Sequence, residues 1–93
     1  MVVTQAGAVR EKVFEYIDRH QPQHIDRIQA YLRQPSVSVS GAGIPECAEL
    51  TRQYFAAAGC QETRIVPTGG HPGVWAFLDA GARRTLVIYW ICL

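Results

Sequence analysis

Thr85-Leu86-Val87-Ile88-Tyr89-Trp90-Ile91-Cys92-Leu93 is a run of nine residues without a charge, and the sequence stops inside it. Its length, its β-branched and aromatic content, and its entry from Asp79-Ala80-Gly81-Ala82-Arg83-Arg84 predict a strand covered on both faces, as the strands of α/β sheets are. In open α/β sheets the loops leaving the carboxyl ends of such strands carry ligands and catalytic groups. No such loop follows Leu93, so the chain is expected to be an unfinished α/β domain.

Moving back along the chain, Val74-Trp75-Ala76-Phe77-Leu78 reads as a second strand, hairpin-paired with Thr85 to Trp90 through the 79–84 connection. Gln61 to Val66 is a further short strand, set off by the turn-rich Pro67-Thr68-Gly69-Gly70-His71-Pro72-Gly73. A helix starting near Pro45, which the first helical turn tolerates, presents Cys47, Leu50, Tyr54, Phe55 and Ala58 to a core. Gly59 is placed to stop it. Ser36 to Gly43 alternates small polar and apolar residues and then relaxes into glycine, which predicts a loop with a short extended stretch.

Before that loop, Val9, Val13, Tyr16 and Ile17 recur at helical spacing between Ala6 and His20, with charges on the remaining positions. Pro22 interrupts the pattern, which resumes at Ile25, Ile28, Tyr31 and Leu32 until Pro35. This predicts two helices or one bent helix. The architecture expected is two or three helices followed by a short three-stranded sheet, with residues 1–93 forming one partial domain.

A hydrophobic content of 48% against 18% charged residues describes a globular chain. Its 93 residues suffice for one small domain of limited stability. The net charge of +1 comes from basic residues that are scattered, which argues against nucleic acid and anionic membranes as partners. The terminal apolar run is far shorter than the roughly 20 residues of a membrane span. The N-terminus, Met1-Val2-Val3-Thr4-Gln5, lacks the layout of an export signal, so a cytoplasmic protein is expected. Cys47, Cys60 and Cys92 are odd in number and widely spaced, indicating inert thiols instead of disulfides or a thiolate zinc site.

Four segments together resemble one family: Leu32-Arg33-Gln34-Pro35-Ser36-Val37-Ser38 after an amphipathic helix, the helix ending Phe55-Ala56-Ala57-Ala58-Gly59, the loop Thr68-Gly69-Gly70-His71-Pro72, and the hairpin leading to Thr85-Leu86-Val87-Ile88-Tyr89. In order and spacing they are similar to the N-terminal segment of di-zinc metallopeptidases of the carnosinase, aminoacylase and acetylornithine deacetylase type. The resemblance implies a zinc-peptidase α/β domain of which this chain is an incomplete N-terminal part. It implies hydrolysis of dipeptides or N-acyl amino acids by full-length relatives holding two zinc ions. In that family the last strand is followed by a small residue and then His-x-Asp, the histidine binding zinc and the aspartate orienting it. Here Trp90, Ile91 and Leu93 occupy those places, and neither Ile nor Leu coordinates zinc. The chain is therefore expected to be inactive alone, with no catalytic, cofactor-binding or metal-binding residue of its own. The alternative is a non-catalytic module that docks its terminal strand onto a homologous peptidase subunit, or onto itself.

The remaining chemistry-bearing residues read plainly. His20 and His24 have the spacing that places two imidazoles on one helix face, but Pro22 between them favours a solvated turn over a metal site. His71, between Gly70 and Pro72, is expected to be structural. Ser36, Ser38 and Ser40 lack the strained elbow of a nucleophile, so bonding to nearby backbone is expected of them. Gly41-Ala42-Gly43 before a helix resembles an anion cradle only faintly. Trp75, Phe77, Tyr89 and Trp90 are expected to pack in the sheet.

Overall fold

A computed structural model describes residues 2–89, with side chains from residue 7 onward. The order is α1 (Val2–Arg19), α2 (Gln21–Arg33), α3 (Ile44–Ala57), β1 (Glu62–Val66) and β2 (Gly73–Phe77). The chain divides into two compact units, Met1–Leu32 and Arg33–Leu93.

In the first unit α1 and α2 follow each other with only His20 between them. The His20 amide donates to the Tyr16 carbonyl at 3.0 Å, and the His24 amide donates to the His20 carbonyl at 3.0 Å. These two bonds flank the junction, while the regular helices end at Arg19 and restart at Gln21. Pro22 is the second residue of α2. There its missing N–H and fixed φ cost little, because the first amides of a helix have no partner within it. Arg19 and Arg33 stand in the last turns of the two helices, where the negative dipole end favours a cation.

The second unit begins with a tight turn. The Val37 amide donates to Ala42 O (2.9 Å), the Gly41 amide donates to Val37 O (2.8 Å), and Val37 and Ala42 form an isolated antiparallel bridge. Gly41 and Gly43 hold φ of 76° and 77°, a region that side chains with a Cβ avoid. Gly43 then caps α3, accepting from the Cys47 amide at 2.8 Å, and Pro45 lies in the first turn. The helix closes on a Schellman arrangement. The Gly59 amide (φ 100°) donates to Ala56 O at 3.1 Å, and the Cys60 amide donates to Phe55 O at 3.2 Å. Gly59 thus stops α3 where the sequence placed the stop.

β1 and β2 pair antiparallel in the register Glu62↔Phe77, Thr63↔Ala76, Arg64↔Trp75, Ile65↔Val74, Val66↔Gly73. α3 packs against both strands. Because side chains alternate across a sheet, Thr63, Ile65, Val74 and Ala76 share one face, and Arg52 of α3 reaches Thr63 Oγ1 within 3.5 Å on that side. Cys47, Ala48 and Thr51 of α3 are the buried residues, and Thr51 Oγ1 donates to Cys47 O at 2.8 Å. The core is narrower than expected: Leu50, Tyr54 and Phe55 are half-buried and Ala58 is exposed.

The structure is a small α/β fold, and two expectations need correction. Its sheet has two strands among the described residues, where three were expected. The expected third strand has no regular structure over 85–89, and Trp90 lies outside the described residues. The partner of β2 is accordingly β1, reached through the 67–72 loop, and not the 85–90 run. After β2 the chain turns on Asp79, whose amide donates to Gln61 Oε1 (2.8 Å) and whose carbonyl accepts from Gln61 Nε2 (3.0 Å). Asp79 Oδ1 accepts from the Gly81 amide at 2.9 Å, completing the turn. A strand that is apolar throughout is stabilised only when both of its faces are covered, and the described residues supply no second covering layer. The two helices expected on either side of the Pro22 junction are present, with His20 as the turn residue between them and Pro22 in the first turn of α2.

Candidate functional sites

Two loops far apart in sequence meet at His71. Its ring Nε2 lies 2.7 Å from the Ser38 carbonyl, which can only accept, so Nε2–H donates. Thr68 Oγ1 donates to the His71 carbonyl at 2.5 Å and accepts from the Gly70 amide at 3.2 Å. The 67–72 loop is thus folded on its own backbone and tied by one imidazole to the 36–43 turn. His71 meets a backbone carbonyl and not a serine hydroxyl, an arrangement that positions loops and activates no nucleophile.

In the 41–43 segment most amides are engaged locally. The Gly41 and Ile44 amides are bonded to Val37 O and Gly41 O, and the Ala42 amide is bonded to Ser40 Oγ at 3.3 Å. Ser40 bonds local backbone as expected.

One charged pair escaped the sequence reading. Arg52 grips Glu49 with two bonds, Nη2 to Oε1 at 2.6 Å and Nε to Oε2 at 2.9 Å. Gln53 Nε2 adds a third at 3.3 Å. The Arg52 bonds first, then the Gln53 bond and the positive charge of Arg52, hold the Glu49 carboxyl at about 2 against an ordinary 4.5, while desolvation works the other way. The Arg52 guanidinium is raised in turn, first by its bonds to Glu49. The signal was present as opposite charges three residues apart on a helix. A carboxylate saturated in this way is a poor general base, and the pair serves the surface of α3 facing Thr63.

His20 and His24 stand together on the helical surface. Their ring centroids are 6.3 Å apart with planes 25° from parallel. Tyr16 stacks on His20 at 4.1 Å and lies 6.1 Å from His24. The Tyr16 carbonyl accepts from His20 Nδ1 at 2.8 Å. Among the described residues no group of three or more His, Cys, Asp or Glu side chains could hold a metal ion. Cys47 is a buried free thiol and Cys60 a half-buried one, while Cys92 lies outside the described residues. A concavity of about 550 Å³ is lined by Ala82, Arg83 and Arg84, consecutive residues that bring no groups from separate elements together.

Comparison with protein-family models, curated proteins and solved structures yields no match. Among the described residues no helix is long and apolar enough to cross a membrane.

Proposed function

We propose that the chain is a non-catalytic scaffold segment of an α/β domain of the zinc-dependent amidohydrolase and dipeptidase type that its sequence resembles, working in the cytoplasm. The observation that carries this reading is the outer face of the sheet. Trp75 and Phe77 there are 47% and 42% exposed, and the Leu86–Tyr89 run beyond it is 70–82% exposed. Sheets of α/β domains are covered on both faces, and a cluster of exposed aromatic and aliphatic side chains marks a surface meant for cover. The two zinc ions of such enzymes need His, Asp or Glu ligands and an open position for water. In this reading those ligands come from other polypeptide.

The test is direct. Purified protein should retain no zinc after dialysis and should release no amino acid from dipeptides or N-acyl amino acids. Two tightly held zinc ions per chain with accompanying hydrolysis would overturn the reading.

A second reading is favoured by the open edges of the two-stranded sheet and the unpaired 85–89 backbone: a module that adds its strand to a homologous peptidase subunit. Size-exclusion chromatography with such a subunit separates the two. Co-elution supports the module, and a chain indifferent to that partner excludes it.

A further inference from the structure

Two imidazoles four residues apart on one helical face are an arrangement by which helices grip a metal. Here His20 is the single residue between α1 and α2, and its carbonyl accepts from the His24 amide at 3.0 Å, so this one pair keeps the four-residue helical spacing. The first of the two rings is set for ligation. Its Nδ1–H donates to the Tyr16 carbonyl at 2.8 Å, which fixes the tautomer and leaves the Nε2 lone pair free. A backbone carbonyl on the far nitrogen is the usual outer partner of a metal-bound histidine. Tyr16, stacked at 4.1 Å, holds the plane of that ring. Both histidines are half-buried.

We propose that His20 and His24 form a two-histidine chelate for a divalent late transition-metal ion, with water filling the other positions. Metal–nitrogen bonds of about 2.0–2.1 Å bring two chelating ring centroids to about 5 Å. The observed 6.3 Å would have to shorten by about 1 Å through side-chain rotation for both rings to reach one ion. Imidazole pairs suit copper, nickel and zinc, with copper bound tightest of these. No third His, Cys, Asp or Glu side chain joins them among the described residues, so the affinity is modest. The sequence between them, Gln21-Pro22-Gln23, lacks the glutamate that serves as general base between the two histidines of a metalloprotease helix. It is independent of the scaffold reading above: its ligands lie at the α1–α2 junction (His20) and on α2 (His24), and it needs no hydrolytic activity.

The experiment is calorimetric titration of the full-length, tag-free chain with Ni²⁺, chosen because it does not oxidise thiols. One ion per chain is expected, with a dissociation constant on the order of 10 µM. His20→Ala or His24→Gln should each weaken binding by about tenfold or more, while His71→Ala leaves it unchanged. Binding unaltered in both His20→Ala and His24→Gln overturns the proposal. Should a variant misfold, acylation of histidines in the native chain gives the answer without substitution. Ni²⁺ should protect His20 and His24 and spare no more than these. Equal protection of all three histidines, or none, refutes the site.

Discussion

Gly43→Ala is the sharpest perturbation the fold offers. Gly43 has a φ of 77°, and an alanine in that left-handed region costs about 1–2 kcal/mol. A Cβ at this position would also press into the Pro35 carbonyl oxygen, with the Pro35 carbonyl carbon at 2.6 Å and the Pro35 Cβ at 2.9 Å. Backbone cannot rotate aside as a side chain can, so the turn must open, adding about 1–3 kcal/mol. The expected total is about 2–5 kcal/mol, a large share of the roughly 5–14 kcal/mol that a chain of this length holds. Gly41→Ala is the control. Its φ of 76° is the same, but its Cβ would find only His71 Cε1 at 3.8 Å, so the conformational cost alone of about 1–2 kcal/mol remains. Both substitutions fall in one turn and change the unfolded chain alike, so that contribution cancels between them. Urea unfolding followed by circular dichroism gives both values. A Gly43→Ala loss no greater than that of Gly41→Ala would refute the close approach of Pro35 to the start of α3.

Replacing His71 by Ala removes the bond to Ser38 O and should cost about 0.5–1.5 kcal/mol in the same assay; an unchanged midpoint would mean that the bond does not tie the two loops in solution. Glu49 makes an acid-dependent contribution whose sign follows from its lowered carboxyl. Stability from the Arg52 grip is fully present above pH 4.5 and is lost as pH falls toward about 2. Glu49→Gln should therefore flatten the loss of stability across that window, and an equally steep fall in the variant would contradict the assignment. Val87→Lys, at a position 82% exposed, should change stability by less than about 0.5 kcal/mol while raising the soluble fraction on storage. A destabilisation well beyond that would show that Val87 is covered in solution.

Elements governed by local chemistry were readable in the sequence. The helical period of Val9, Val13, Tyr16 and Ile17, the start of α3 near Pro45 and its stop at Gly59 each depend on residues within a few positions of one another. The break between the first two helices was readable from Pro22, which stands in the first turn of the second. The bond from His71 to Ser38 spans 33 positions and has no local signature, so it could only be found in the folded chain. The Glu49–Arg52 pair did have one, in its three-residue spacing, and was passed over because its residues do not resemble a catalytic set.

The third strand failed for a reason that can be put in energies. Ordering the four residues Leu86 to Tyr89 costs about 4–8 kcal/mol of backbone entropy at 1–2 kcal/mol each. Burying all four side chains between two layers returns about 6–12 kcal/mol at 1.5–3 kcal/mol each, which is enough. Adding the segment to β2 with cover on one face alone would bury two of the four and return about 3–6 kcal/mol, which is not. The sequence pattern registers only the first case, because nine uncharged residues in a row are what a fully sandwiched strand contains. The folded chain offers α3 on one side of β1 and β2, and leaves Trp75 and Phe77 exposed on the other. Strand formation at 85–89 is therefore conditional on a second layer. The exposed aromatics of β2 and the unpaired run beyond it express one deficit, and the polypeptide that covers the first would supply the face that the second requires.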